Sequence, residues 1–232
     1  NLVASVVSYL GLLSFGFGSA YMRYYSRYTI KDDEENIAKL NGMFLIVFTI
    51  IGIIAVLAGT VLVFNVDIIF GGKLTVGELS TAKVLMAVMV FNIAISFPAS
   101  VFYSYVTANE QYIFQKLLQM IKTIANPFLM LPVLLMGYKS IGMVVVTTLL
   151  TLCVEIINVI FCYKKLKIEF LFKQFDFSLM KEITVFSSYI FINMIIDQIN
   201  WNLDKLIISR FRGTIGVAVY GLAAQLNTYY MS

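Results

Sequence analysis

The chain has 232 residues, 60% of them hydrophobic and 13% charged, with a net charge of +4 and no histidine. A soluble domain carries about 25% charged residues, so a water-soluble globular fold is excluded, as are a histidine metal site and a histidine-based catalytic triad. The positive balance does not point to nucleic acid, because the cations sit between apolar blocks.

Those blocks are about 20 residues long, the length a helix needs to cross a bilayer, and the mean hydropathy is +0.87. Seven spans are predicted, at 2–22, 42–64, 83–105, 117–137, 141–163, 184–206 and 214–232. Backbone groups in lipid must bond internally, and the blocks do not alternate as barrel strands do. The expected fold is therefore an all-α, polytopic transmembrane helical bundle.

The first span places Gly11, Ser14 and Gly18 on one face, where small residues allow close helix approach. It closes on SAYMRYYSRY, 19–28. Tyr21, Tyr24, Tyr25 and Tyr28 suit an interfacial aromatic belt. Arg23 has two readings: it reaches headgroups, or it faces a cavity and binds phosphate as a bidentate donor. Pro98 in the third span and Pro127 and Pro132 in the fourth are candidate kinks.

Three spans carry polar stripes at helical spacing. These are Gln115, Gln119, Lys122 and Asn126 in the fourth; Thr148, Thr151, Glu155 and Asn158 in the fifth; and Asn193, Asp197, Asn200 and Asp204 in the sixth. One polar residue in a span is often interhelical glue, whereas three stripes fit a shared wet cavity. Glu155 and Asp197 lie well inside their spans, where a charge costs at least about 2.5–3.5 kcal/mol and marks a functional site. Asp204 and Lys205 sit nearer the interface and read either as caps or as a gate. Lys122 can also snorkel. Cys153 and Cys162 share one apolar block, so no disulfide framework is expected.

Eleven of the 17 Lys and Arg fall on one side, which assigns 164–182 to the cytosol and 65–82 to the exterior. The stretch 164–183 mixes lysines with Phe170, Phe172, Phe175 and Phe177, and is expected to be an interfacial amphipathic linker. It separates an N-terminal lobe, 1–163, from the start of a second, 184–232. A faint repeat of NLVASVVSY, 1–9, in GLAAQLNTY, 221–229, supports two lobes. The chain opens and closes inside apolar runs, so it reads as part of a longer protein.

SYLGLLSFGFGSAYMRYYSRY, 8–28, resembles the second helix of bacterial polysaccharide flippases, the Wzx-like branch of the multidrug/oligosaccharidyl-lipid/polysaccharide exporters. NLDKLIISRFRGTIGVAVYGLAAQL, 202–226, resembles the same family's seventh-to-eighth helix passage, through Asp204-Lys205, Leu206-Ile207, Gly213 and Val219-Tyr220. The resemblance implies a two-lobed exporter fold, with this chain covering about helices two to eight. It also implies a non-enzymatic flippase of the bacterial plasma membrane, moving undecaprenyl-pyrophosphate-linked oligosaccharide units. The implied partners are that lipid-linked oligosaccharide, membrane lipid, a coupling ion (H+ or Na+) and the polysaccharide polymerase machinery, with no cofactor. Within that picture Arg23, Lys122, Asn126, Asn193 and Asn200 are expected to meet substrate, Glu155 and Asp197 to bind the coupling ion, and Asp204 and Lys205 to form a rim or gate. A multidrug/cation antiporter of the same fold fits the carboxylates as well. A membrane polymerase or ligase fits less well, because the outer connection 65–82 is short and has neither Arg nor His, and a regulatory scaffold is disfavoured by the intramembrane carboxylates.

Overall fold

A computed structural model describes residues 10, 14, 16–66, 76–137, 139–173, 175–197 and 220–221. Six α-helices account for most of them, and no strand occurs among the described residues. They are α1 (Phe17–Thr29), α2 (Glu34–Phe64), α3 (Val76–Ala108), α4 (Tyr112–Leu135) and α5 (Lys139–Lys164), then α6 (Phe177–Asp197). Five of them, α2 to α6, contain stretches long and apolar enough to cross a membrane.

The helices run past their apolar cores because polar caps start them early. Asp33 precedes α2 and accepts hydrogen bonds from the Asn36 backbone N–H at 3.2 Å and the Asn36 side chain at 2.6 Å. Those two bonds favour the ionised form and hold the Asp33 carboxyl below the usual aspartate value. Glu34 and Glu35 in the first turn complement the helix dipole. Asp176 does the same work for α6, accepting from the backbone N–H of Ser178 at 2.9 Å and of Leu179 at 3.0 Å.

Two expectations for the first span need correction. Gly16 has φ 71°, a left-handed conformation that glycine adopts at no steric cost, so an unbroken helix over 2–22 is not formed and α1 starts at Phe17. The tyrosines do not form an outward belt either. Phe17, Ala20, Tyr21, Tyr24 and Tyr25 are all buried, at the spacing of one helical face. The Tyr21 ring packs edge-on against Phe44 and its hydroxyl donates to Asn41 Oδ1 at 2.6 Å. A tyrosine whose hydroxyl finds an internal acceptor can enter the core. Arg23 and Arg27 occupy the opposite, exposed face of α1.

The chain divides into two compact units, Asn1–Ser187 and Ser188–Ser232. In the first unit α3 lies between α2 and α5, α1 rests on both α2 and α3, and α4 packs on α5. The main core is aromatic, with Phe17, Tyr21, Tyr25, Phe44, Phe48 and Tyr105 packed largely edge to face. Much of α4 presents apolar side chains outward, including Ile113, Phe128 and Leu135, which a bilayer solvates without cost.

The connection from α5 to α6 crosses this unit as an extended strap. Leu171 N–H donates to the Ala38 carbonyl at 2.9 Å, and Asn41 Nδ2 donates to the Glu169 carbonyl at 2.9 Å. Ile168, within the strap, is buried. Gly42 lets the strap approach: a Cβ there would stand 2.5 Å from the Leu171 carbonyl oxygen. A cavity of about 470 Å³ beside the strap is lined by Tyr25, Asn41, Tyr105, Asn109, Lys167 and Glu169, with other residues. In the second unit the described residues are the closing turns of α6, from Ser188, and Tyr220–Gly221.

Candidate functional site: a polar seam between apolar helices

The polar stripe of α5 meets partners on two neighbours. Its residues Thr148, Thr151, Glu155 and Asn158 repeat every three or four positions and so share one side of the helix. From α3, Ser96 Oγ donates to Glu155 Oε1 at 2.5 Å, and Asn92 Nδ2 donates to Thr148 Oγ1 at 3.4 Å. From α4, Lys122 Nζ donates to Thr151 Oγ1 at 3.0 Å, while that hydroxyl donates to the Thr147 carbonyl at 2.9 Å. Glu155 also feels the charge of Lys122. An acid, a base and four neutral polar side chains thus form a seam inside a bundle of otherwise apolar helices.

The seam is incompletely satisfied. Asn126 Oδ1, Glu155 Oε2 and Asn158 Oδ1 are buried without a hydrogen-bond partner. All three are acceptors, on the two helices that also carry Lys122 and Thr151. A buried polar atom left unpaired costs about 1–3 kcal/mol, so these three acceptors are the places in the seam where a donor such as water or a hydroxyl group is stabilised. Among the described residues there is no group of three or more Cys, Asp or Glu able to hold a metal ion.

The stripes expected on α4 and α5 therefore come together. Their third partner is α3, whose Asn92, Ser96, Ser100 and Ser104 recur every fourth residue. That recurrence was available in the sequence, but serine alone is a common packing residue and gives a faint signal. Gln115 turns to α3, donating to the Tyr103 carbonyl at 2.9 Å and Thr107 Oγ1 at 2.7 Å.

Of the other expected residues, Arg23 lies outside the seam, two belong to the second unit, and the rest are not among the described residues. Arg23 is exposed, with its guanidinium carbon 4.4 Å from the centre of the Phe186 ring, a cation–π contact. Asn193 and Asp197 are exposed residues of the second unit, and Asn193 Nδ2 donates to the Tyr189 carbonyl at 2.9 Å. Asn200, Asp204 and Lys205 lie outside the described residues, as does Gly11.

Five described helices long and apolar enough to cross a membrane make this a multi-pass membrane protein. The family model described as polysaccharide biosynthesis protein matches residues 1–231, and the chain belongs to that family, which is the family of Wzx-like polysaccharide flippases. Comparison with curated proteins and with solved structures gives no match.

Proposed function

We propose that the protein is an ion-driven flippase that carries undecaprenyl-pyrophosphate-linked oligosaccharides across the bacterial plasma membrane by alternating access. Family membership supports the saccharide and the membrane. The observation that carries the ion coupling is the Lys122–Thr151 and Glu155–Ser96 arrangement on adjoining helices, with Glu155 Oε2 unpaired.

The chemistry follows from charge. With Glu155 ionised, its negative charge offsets that of Lys122, and the seam has little attraction for a diphosphate. A proton or a monovalent cation arriving at Glu155 cancels the carboxylate charge. Lys122 is then an uncompensated cation in a low-dielectric setting, where a diphosphate anion is held far more strongly than in water. Release of the ion from Glu155 to the cytosol, before the protein turns outward, restores the carboxylate charge and loosens the anion for release outside, so the ion runs inward down its gradient as the saccharide moves outward. Asn126, one helical turn from Lys122, offers its free acceptor oxygen to a sugar hydroxyl. Arg23 lies on the exposed face of α1, and stacking on Phe186 orients the guanidinium while leaving its N–H edge able to grip phosphate. In this reading Asp197 provides a second ion site, Asn193 and Asn200 contact the sugar, and Asp204 with Lys205 form the outer gate.

Glu155→Gln and Lys122→Gln in the full-length protein test the reading, with surface polysaccharide measured at matched protein level. Each is expected to lower export about tenfold or more, the effect of ~1.4 kcal/mol. Normal export by both variants would reduce the seam to packing glue.

A further inference from the structure

We infer that the small pocket between α3, α4 and α5 is an aqueous inlet through which the Glu155 seam exchanges protons with the cytosolic side. The purpose given to the inlet rests on the coupling reading above; its hydration does not.

The pocket measures about 120 Å³, room for about four waters at ~30 Å³ each. Tyr112, Lys116 and Gln119 line it and are exposed, so it opens at the end of the bundle near the α3–α4 connection. The cation excess assigns that end to the cytosol. Its deepest polar lining residue is Asn158, only 5% exposed, whose Oδ1 has no partner. An amide oxygen buried that fully needs a donor, and a water chain entering from the mouth provides one.

Position connects the pocket to the acid. Asn158 and Glu155 are one turn apart on the same side of α5, and both present unpaired acceptors. Gln119, on the pocket wall, is one turn from Lys122 on α4. A water bonded to Asn158 Oδ1 therefore has Glu155 Oε2 as the next vacant acceptor along the seam. The groups facing Glu155 are Ser96 from α3 and Lys122 from α4. Lys116, Tyr103 and Tyr112 are the titratable groups facing the pocket. A positive Lys116 at the mouth disfavours metal cations, while a proton passes along bonded waters without an ion having to enter.

The test uses the full-length protein with native cysteines replaced by serine and single cysteines at Asn158, Val154 or Ile156. Val154 lines the pocket, and Ile156 is exposed on the opposite side of α5. Inside-out and right-side-out membrane vesicles are treated with a small cationic, membrane-impermeant methanethiosulfonate. Unreacted thiols are then counted by mass-tagging in detergent. A thiol in contact with water is partly ionised and one in apolar surroundings far less so, so positions 158 and 154 should react at least about tenfold faster than 156, and only in inside-out vesicles. If Asn158→Cys does not reach the membrane, Val154→Cys gives the same reading. Reaction no faster than at 156, or faster in right-side-out vesicles, overturns the inlet. Normal export by Glu155→Gln instead overturns the coupling reading and leaves the labelling pattern as it is, so the two failures are distinct.

Discussion

Single residues here act by closing hydrogen-bond chains that lipid cannot close. Asn41 takes the Tyr21 hydroxyl at 2.6 Å and gives its own N–H to the Glu169 carbonyl at 2.9 Å, so one amide ties α1, α2 and the strap together. Asn41→Ala strands the buried Tyr21 hydroxyl, at about 1–3 kcal/mol, and removes a part-buried bond to Glu169, worth about 0.5–1.5, so it should destabilise the detergent-solubilised protein by about 2–4 kcal/mol. Tyr21→Phe strands one acceptor and should cost about half as much; equal losses, measured by thermal unfolding, would contradict the chain of bonds. Ser96→Ala removes the donor to Glu155 and should cost about 1–3 kcal/mol. Asp33 gives a pH signature. Its folded value is depressed, so its capping contribution is present above the unfolded aspartate pKa and fades as pH falls through the lower folded value. Protection of the Asn36 amide, its exchange rate taken against the intrinsic rate at the same pH, should fall on acidification in wild type, and in Asp33→Ala it should be low at every pH.

At the scale of elements, what the sequence made legible was what lipid selects for. The apolar blocks of α2 to α5 read directly because a span must be about 20 residues of uninterrupted apolar helix. The ends did not, because Asp33 and Asp176 set them by capping, which no hydropathy window sees. The stripes of α4 and α5 were readable from helical spacing, and they do adjoin. The α3 half of the seam was not, since Ser96 differs from an ordinary packing serine only by facing Glu155. Tyr21, Tyr24 and Tyr25 misled because tyrosine suits both an interface and a core with an internal acceptor. The strap was hidden because its docking is mostly backbone: Leu171 N–H to the Ala38 carbonyl. Gly42→Val drives a side chain against the Leu171 carbonyl, which a Cβ at position 42 would approach to 2.5 Å, and should undock the strap. Limited proteolysis should then cut within 165–173 faster than in wild type, with α2 still helical by circular dichroism. Unchanged cleavage would mean that the close approach at Gly42 does not hold the strap.

For the whole molecule, membership of the polysaccharide biosynthesis family agrees with five described helices long and apolar enough to span a membrane, whose few internal charges include Lys122 and Glu155. Orientation is open to direct test. Single cysteines at Ser178 and Thr75, labelled in intact cells with an impermeant reagent, should react at 75 and stay protected at 178; the reverse would invert the topology and move the inlet to the exterior. The central claim is that an ion at Glu155 governs transport of an anionic lipid-linked saccharide. The most direct measurement reconstitutes full-length protein in liposomes containing undecaprenyl-pyrophosphate-linked oligosaccharide. It follows translocation with a lectin added outside, with and without an imposed proton or sodium gradient. Wild-type translocation should respond to one of those gradients, and Glu155→Gln should show slow, gradient-independent movement. Gradient-dependent translocation by Glu155→Gln at the wild-type rate would contradict the account.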